Sequence, residues 1–116
     1  MVIPQEGYLE IRLPATESAE LVKGVLEEIV RICSERRPPR LLVDFTLLQN
    51  NPTTLQRYDY GMIASRLSPY VGRAAALAQA VYIDPEKLGV TVARNRGLPA
   101  EIFTDRAKAL AWLLGE

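Results

Sequence analysis

Gly97-Leu98-Pro99-Ala100-Glu101-Ile102-Phe103-Thr104-Asp105 runs on into Ala107, Leu110, Ala111, Trp112, Leu113 and Leu114. It reads as a helix stop at Gly97, a strand over Ala100 to Phe103, a cap at Thr104 or Asp105, and a closing amphipathic helix. A short strand feeding straight into a helix is the unit of an alternating α/β chain. On a helical wheel Ala107, Leu110, Ala111 and Leu114 form the core stripe, with Leu113 at its margin. Trp112 falls off that stripe near Lys108 and is expected to wrap over a neighbouring loop, since tryptophans are usually mostly buried.

The same alternation extends toward the N-terminus. Ala74 to Ile83 is apolar except for Gln79 and is read as one strand, its small side chains permitting close helix packing. Asp84-Pro85-Glu86 then supplies a cap, a first-turn proline and an acid for a helix ending at Gly97. Gly89, Val90, Thr91 and Val92 are poor helix formers, so a short strand over 85–96 is the alternative. Leu41-Leu42-Val43-Asp44-Phe45 is a continuous apolar run broken by one acid, the pattern of a central parallel strand. Asp44 sits near its carboxyl end, where open α/β sheets bind ligands. The plainer role for Asp44 is to accept hydrogen bonds from the following loop's backbone, and that role is expected.

Tyr8 to Leu13 alternates strictly. Leu9, Ile11 and Leu13 face a core, and Tyr8, Glu10 and Arg12 face the other way, as in a half-buried strand near a sheet edge. After Pro14, Thr16 is the expected cap of the first helix, with Glu17 and Glu20 at the positive end of its dipole. From Leu21 to Cys33 the apolar stripe is Val22, Val25, Leu26, Ile29, Ile32 and Cys33, with Lys23, Glu27, Arg31 and Ser34 opposite. Glu27 and Arg31 stand in the favoured i,i+4 order. Cys33 lies on the buried stripe away from any base and reads as an inert core thiol. Arg36, Arg37 and Arg40 flank Pro38-Pro39 in what reads as a solvated loop.

Pro52-Thr53-Thr54-Leu55-Gln56 opens the second helix with a Thr-x-x-Gln capping box. That helix, running to about Leu67, has two apolar stripes: Leu55, Tyr58 and Met62 on one, Tyr60, Ile63 and Leu67 on the other. Asp59 and Arg66 fall between them. Either two neighbours cover this helix or one stripe is offered to a partner. Tyr58, Tyr60 and Tyr70 suit such a surface, because a tyrosine is apolar along its ring and polar at its tip.

Composition excludes more than it assigns. The 116 residues make one domain with 14 basic and 14 acidic side chains and no histidine. Zero formal charge removes the electrostatic argument for nucleic acid and permits self-association. Without histidine there is no serine triad and no His-ligated metal, and no cofactor motif occurs. A single cysteine cannot form an internal disulfide. With no signal sequence or membrane span visible, the expectation is a cytoplasmic protein.

The order of strands and helices, Leu42-Val43-Asp44, and Phe103-Thr104-Asp105 followed by Ala109-Leu110-Ala111-Trp112-Leu113 together resemble the SpoIIAA-like proteins, the STAS-type single domains. The resemblance covers nearly the whole chain and implies a four- to five-stranded mixed sheet with about four helices packed on it. In the anti-sigma-factor antagonists of that fold, Asp-Ser-Ser-Gly opens the second helix and a serine there is phosphorylated. Here Pro52-Thr53-Thr54-Leu55 lacks the acid, the serines and the glycine, which argues against a phosphoswitch. Fold alone does not settle function. The leading expectation is a non-enzymatic interaction or regulatory module acting through the second helix and the loop before it. The alternative is a small domain that binds an apolar or amphipathic ligand between that helix and the sheet, lined by Tyr58, Tyr60 and Met62. An enzyme is disfavoured because only Asp44, Asp59 and Arg66 were polar candidates for a common region. A homodimer with Tyr60 or Trp112 in its contact is also expected. The candidate surface is therefore Asp44, Thr53, Thr54, Tyr58, Asp59, Tyr60, Met62, Arg66 and Trp112.

Overall fold

The computed structural model describes residues 1–15, 18–49 and 51–115. Its strands are β1 (Val2–Gln5), β2 (Tyr8–Arg12), β3 (Arg40–Asp44), β4 (Arg73–Leu77) and β5 (Ala100–Phe103). Its α-helices are α1 (Ala19–Arg36), α2 (Thr54–Ser65), α3 (Leu88–Asn95) and α4 (Arg106–Leu114). The strands lie in sequence order in one sheet; β1 is antiparallel to β2 and the other pairings are parallel. This is the expected α/β architecture of a five-stranded mixed sheet with four helices.

Sequential parallel neighbours joined by right-handed crossovers put all their connecting helices on one face. The packing agrees. Leu9, Ile11, Leu41, Val43, Ala74 and Ala100 share one core with Val22, Leu26, Ile29 and Cys33 of α1, with Leu67 just past α2, and with Ala93 of α3. The opposite face packs Leu42, Ala75 and Leu77 under Ala109 and Leu113 of α4.

Several boundaries depart from the expectations. β1 was not foreseen: Pro4 cannot donate to a ladder, but an edge strand tolerates that. Gly7, at φ +89°, completes the two-residue turn into β2. The first helix is capped by Ser18, whose hydroxyl accepts from the Leu21 N–H; Thr16 and Glu17 lie outside the described residues. Arg31 pairs with Glu28 and Glu35 rather than Glu27. Glu27 instead lies 3.9 Å from Arg66. β4 stops at Leu77, and Ala80–Tyr82 is a 3-10 turn. The reason is length: Leu77 pairs with Asp44 and Phe103, the last residues of both neighbours, and after one more bond, from the Ala78 N–H to the Phe103 carbonyl at 3.0 Å, the neighbouring strands have ended. Residues 88–95 are helical, with Gly97 at φ +101° just past the C-cap. The helix begins later than Asp84, whose carboxylate reaches forward to the Leu88 N–H at 2.9 Å. In α4 the buried residues are Ala109 and Leu113, while Ala107, Ala111 and Leu114 are exposed. That helix is apolar almost all round, so its pattern could not single out a face.

α2 is held between α1 and α3, and its approach to α3 needs Gly61. A Cβ there would stand 2.5 Å from the Gly89 carbonyl oxygen and 2.8 Å from Val92 Cβ. Helix propensity alone would favour Gly61→Ala by about 1 kcal/mol, but overpacking against backbone reverses the sign. The expected result is a net loss of about 1–3 kcal/mol in urea unfolding. Gly24 is the control: exposed on α1, with nothing within 4 Å of its Cβ position, it should gain from the same change.

Candidate functional site

The site begins with what the sheet lacks. On the face beneath α2, β4 and β5 present Ala74, Ala76 and Ala100 where bulkier residues would ordinarily fill the layer. α2 and α3 add Gly61, Ala64, Gly89 and Ala93 to the same space. The result is a cavity of about 180 Å³ between α1, α2, α3 and the sheet. Val22, Leu26 and Ile29 of α1, with Val43 and Leu67, complete apolar walls.

Tyr60 also contributes to the wall. Among the described residues, its hydroxyl is the buried side-chain polar atom that has no hydrogen-bond partner. Burial, reinforced by the nearby charges of Glu20 and Asp59, pushes this phenol above its ordinary range, so it stays protonated.

A charged cluster closes the end where β3 and β4 finish. Arg57, on the first turn of α2, donates to the Pro52 carbonyl at 3.1 Å, the Asn51 side chain at 2.7 Å, the Tyr82 carbonyl at 2.8 Å and Asp84 at 3.2 Å. One guanidinium thereby ties the β3–α2 loop to the β4–α3 loop. Its side chain is 15% exposed and that of Asp84 21%. Gln79 adds a second tie by donating to the Thr46 carbonyl at 2.8 Å. Beside them, Glu101 takes Arg94 at 2.7 Å and Lys87 at 3.4 Å. Burial would raise the Glu101 carboxyl, but the Ile102 N–H and the two cations outweigh it and hold it below its ordinary value. Lys87 sits at φ +49°, unusual for a residue with a side chain.

Of the expected site residues, Tyr60 lies at the cavity, whereas Tyr58 and Met62 do not line it. Thr53 is the cap: its hydroxyl accepts from the Gln56 N–H and the Gln56 side chain accepts from the Thr53 N–H. Thr54 is the first helical residue and is exposed. Thr53→Ala should therefore cost about 0.5–2 kcal/mol in thermal or urea unfolding through loss of the cap. Asp44 accepts from both the backbone N–H and the hydroxyl of Thr46, at 2.8 and 2.6 Å, as its plainer reading required. Its register places it with Arg12, Leu77 and Phe103 on the α4 face of the sheet. Arg66 lies past the far end of α2 and Asp59 is on its half-buried flank. Asp44, Asp59 and Arg66 thus do not converge, which corrects the expectation of a common region for them.

Trp112 packs on Phe103 with ring centroids 5.9 Å apart, and the Arg73 guanidinium lies 5.0 Å above it. It covers strand residues rather than a loop. Both Tyr60 and Trp112 therefore have packing partners within the chain. Large apolar side chains that are exposed include Leu47, Leu55, Tyr58 and Val81. Cys33 is fully buried, and burial pushes its thiol up to about 11, so it carries no thiolate near neutral pH. Among the described residues no group of three His, Cys, Asp or Glu side chains could hold a metal ion, and no helix is long and apolar enough to cross a membrane.

The pairing of Arg57 with Asp84 was missed from sequence, where Asp84 was read as a helix cap. An arginine on a helix ordinarily reads as solvated, and its acid lies 27 positions away. A weaker signal was present: Gly61 and Ala64 follow Arg57 at i+4 and i+7, a third and small-residue stripe on α2 that points at α3. Comparison of the chain with protein-family models, with curated proteins and with solved structures finds no match.

Proposed function

We propose that this domain is a small-molecule binding module whose ligand occupies the cavity beneath α2. The carrying observation is an apolar cavity of about 180 Å³ walled by small and branched side chains of α1, α2, α3 and the sheet. The site is concave and apolar with few polar groups, the usual character of a small-molecule site. The SpoIIAA-like reading stands beside this proposal; the mixed five-stranded sheet and four helices are what it implies, and a buried free thiol suits a cytoplasmic location.

The test is a heteronuclear NMR titration with toluene and xenon, the minimal apolar probes. Binding should shift the methyl resonances of Val22, Leu26, Ile29 and Val90, and Ala64→Leu should abolish those shifts while the protein stays folded. If the probes move none of these methyls, the binding reading fails.

A second reading rests on a separate observation. Leu55 is 69% and Val81 73% exposed. Both lie near the end of the sheet that Arg57 ties together, with Leu47 and Tyr58 nearby in sequence. Exposed apolar groups of this kind suit a protein contact, including self-association, and an interaction module would use them. Sedimentation equilibrium of the native chain and of Leu55→Ser with Val81→Ser decides it: a mass that falls with the variant supports the contact, and a monomer throughout removes self-association.

A further inference from the structure

We propose that the end of the domain opposite the Arg57–Asp84 tie is a docking surface for an extended acidic segment of a partner protein, held by Arg36, Arg37, Arg40, Arg73 and Arg96. The surface is separate from the cavity and goes beyond the binding reading above.

Topology gathers these residues. The parallel order brings the loops that enter β3, β4 and β5 to one end of the sheet. The Pro39 carbonyl accepts from the N–H groups of Gly72 and Arg73 at 2.9 and 3.2 Å, and the Pro99 carbonyl accepts from the Ala74 N–H at 2.9 Å. The three loops therefore lie side by side. Arg36 ends α1, Arg37 is its C-cap and Arg96 is the C-cap of α3. Arg40 and Arg73 open β3 and β4 and are register partners, on strands about 4.8 Å apart. Arg37 crosses to the next loop, where its guanidinium lies 5.3 Å from the centre of the Tyr70 ring.

Zero formal charge over the whole chain conceals a segregation. Near this end Glu27 stands by Arg66, Arg31 holds Glu35, and Lys87 and Arg94 hold Glu101. Among the described residues that leaves Glu6, in the turn between β1 and β2, as the uncommitted acid; Glu116 lies outside them. Arg73 donates to the Trp112 and Gly115 carbonyls at 2.7 and 3.4 Å, which carry no formal charge. Arg36, Arg40 and Arg96 have no side-chain partner among the described residues. Cations are favourable at helix C-termini, which accounts for Arg36, Arg37 and Arg96. It does not account for Arg40 and Arg73, which begin adjacent strands and repel each other. An external anion resolves that repulsion.

The partner's class follows from what else the surface offers. Guanidinium forks match carboxylates and phosphates alike. Single-stranded nucleic acid would also need free aromatic faces for its bases. Tyr8, Tyr70 and Trp112 pack instead against the two cores, and Arg37 and Arg73 lie over the rings of the last two. An acidic peptide needs no such face. Alternate side chains of an extended segment recur about every 6.6 Å, and the entries to β3 and β5 are two strand spacings apart, about 10 Å. Two or three carboxylates span that row.

The probe is fluorescein-labelled octaglutamate, followed by anisotropy and by NMR of the native chain. It should bind and should shift the amides of Arg37, Gly72 and Arg96. Its affinity should fall at least about tenfold between about 20 and about 200 mM salt, as screening requires. Arg40→Gln with Arg96→Gln should weaken binding about tenfold. Lys23→Gln with Lys108→Gln removes the same charge near the starts of α1 and α4, at the other end, and should change binding less than about twofold. Failure to bind at the lower salt overturns the proposal, as do equal weakening by the two double variants and shifts confined to residues away from these loops. Tighter binding of an oligouridylate of equal charge also overturns it, and assigns the surface to nucleic acid.

Discussion

Arg106→Ala should cost about 3 kcal/mol of folding stability at neutral pH, near the lower end of the range for stranding a buried charge. The reason is Glu10. Alternation on β2 had placed this carboxylate on an outer, solvated face, yet it is 0% exposed. The correction is tertiary: β2 does lie next to the sheet edge, but the Arg106 side chain, from the start of α4, reaches its outward face and covers Glu10. Arg106, the first residue of α4, hydrogen-bonds one Glu10 oxygen, and Arg12 donates to the other at 2.6 Å. Removing Arg106 leaves Arg12 and a long bond from the Gln5 amide, at 3.4 Å, to compensate a desolvated carboxylate. The effect stays near 3 kcal/mol because Arg12 remains and Arg106 is itself 39% exposed.

The same pair makes the protein acid-sensitive. Burial would raise the Glu10 carboxyl, but hydrogen bonds and charge from Arg106 and Arg12 outweigh it and hold it below the ordinary 4.5. The unfolded carboxyl therefore binds a proton more readily than the folded one. Its stabilisation is fully present above about pH 4.5 and is lost as pH falls through the lower folded value. Urea midpoints from pH 7 to pH 3 should fall for the native chain and fall less steeply for Arg106→Ala. Replacing the pair together, Glu10→Leu with Arg106→Leu, should recover most of the loss, because an apolar pair needs no compensation. If Arg106→Ala costs under about 1 kcal/mol at pH 7, the pair is not what holds the first turn of α4 to β2.

These two residues show where the sequence was legible and where it was not. Periodicity of 2 located β2 and periodicity of 3.6 located α1, while β3 was legible as a continuous apolar run buried on both faces, β5 from the stop and cap signals on either side of it, and α2 from its capping box. Local chemistry located the capping box at Thr53 and Gln56, and the turn acceptor role of Asp44, since both partners lie within three residues. What failed were features that depend on a distant neighbour. Glu10 needed a residue 96 positions away. The end of β4 depended on the lengths of β3 and β5. The buried stripe of α4 depended on where its only sheet face lay. The candidate site was half-visible: Tyr60 and the space beneath the second helix were named, but Tyr58 and Met62 were assigned to a wall they do not form. The cavity itself is an absence of volume made by alanines and glycines from β4, β5, α2 and α3, and no single segment announces it.

Ile29→Ala should cost about 4 kcal/mol, in the upper part of the usual 2–5 kcal/mol range. Ile29 is 2% exposed on the inner face of α1 and forms part of the cavity wall. Truncating it removes the transfer free energy of three carbon groups. It also enlarges a void that already exists, at about 24 cal/mol for each added Å³. A site able to collapse would soften the loss, but the two loops tied by Arg57 and the close contact of Gly61 with Gly89 resist α2 moving inward. The same geometry makes the loss partly recoverable. A ligand that binds only the folded state adds RT ln(1 + [L]/Kd), about 2.7 kcal/mol at a hundredfold excess over Kd. The enlarged cavity should take a bulkier guest, so 1-naphthol should raise the urea midpoint of Ile29→Ala by more than it raises that of the native chain. Urea unfolding with and without 1-naphthol measures both quantities. A loss below about 1 kcal/mol would mean that this face of α1 is not core. A loss nearer about 2 kcal/mol with no extra rescue would mean that the space behind Ile29 closes when the side chain is removed, and that the void is not a standing feature of the fold.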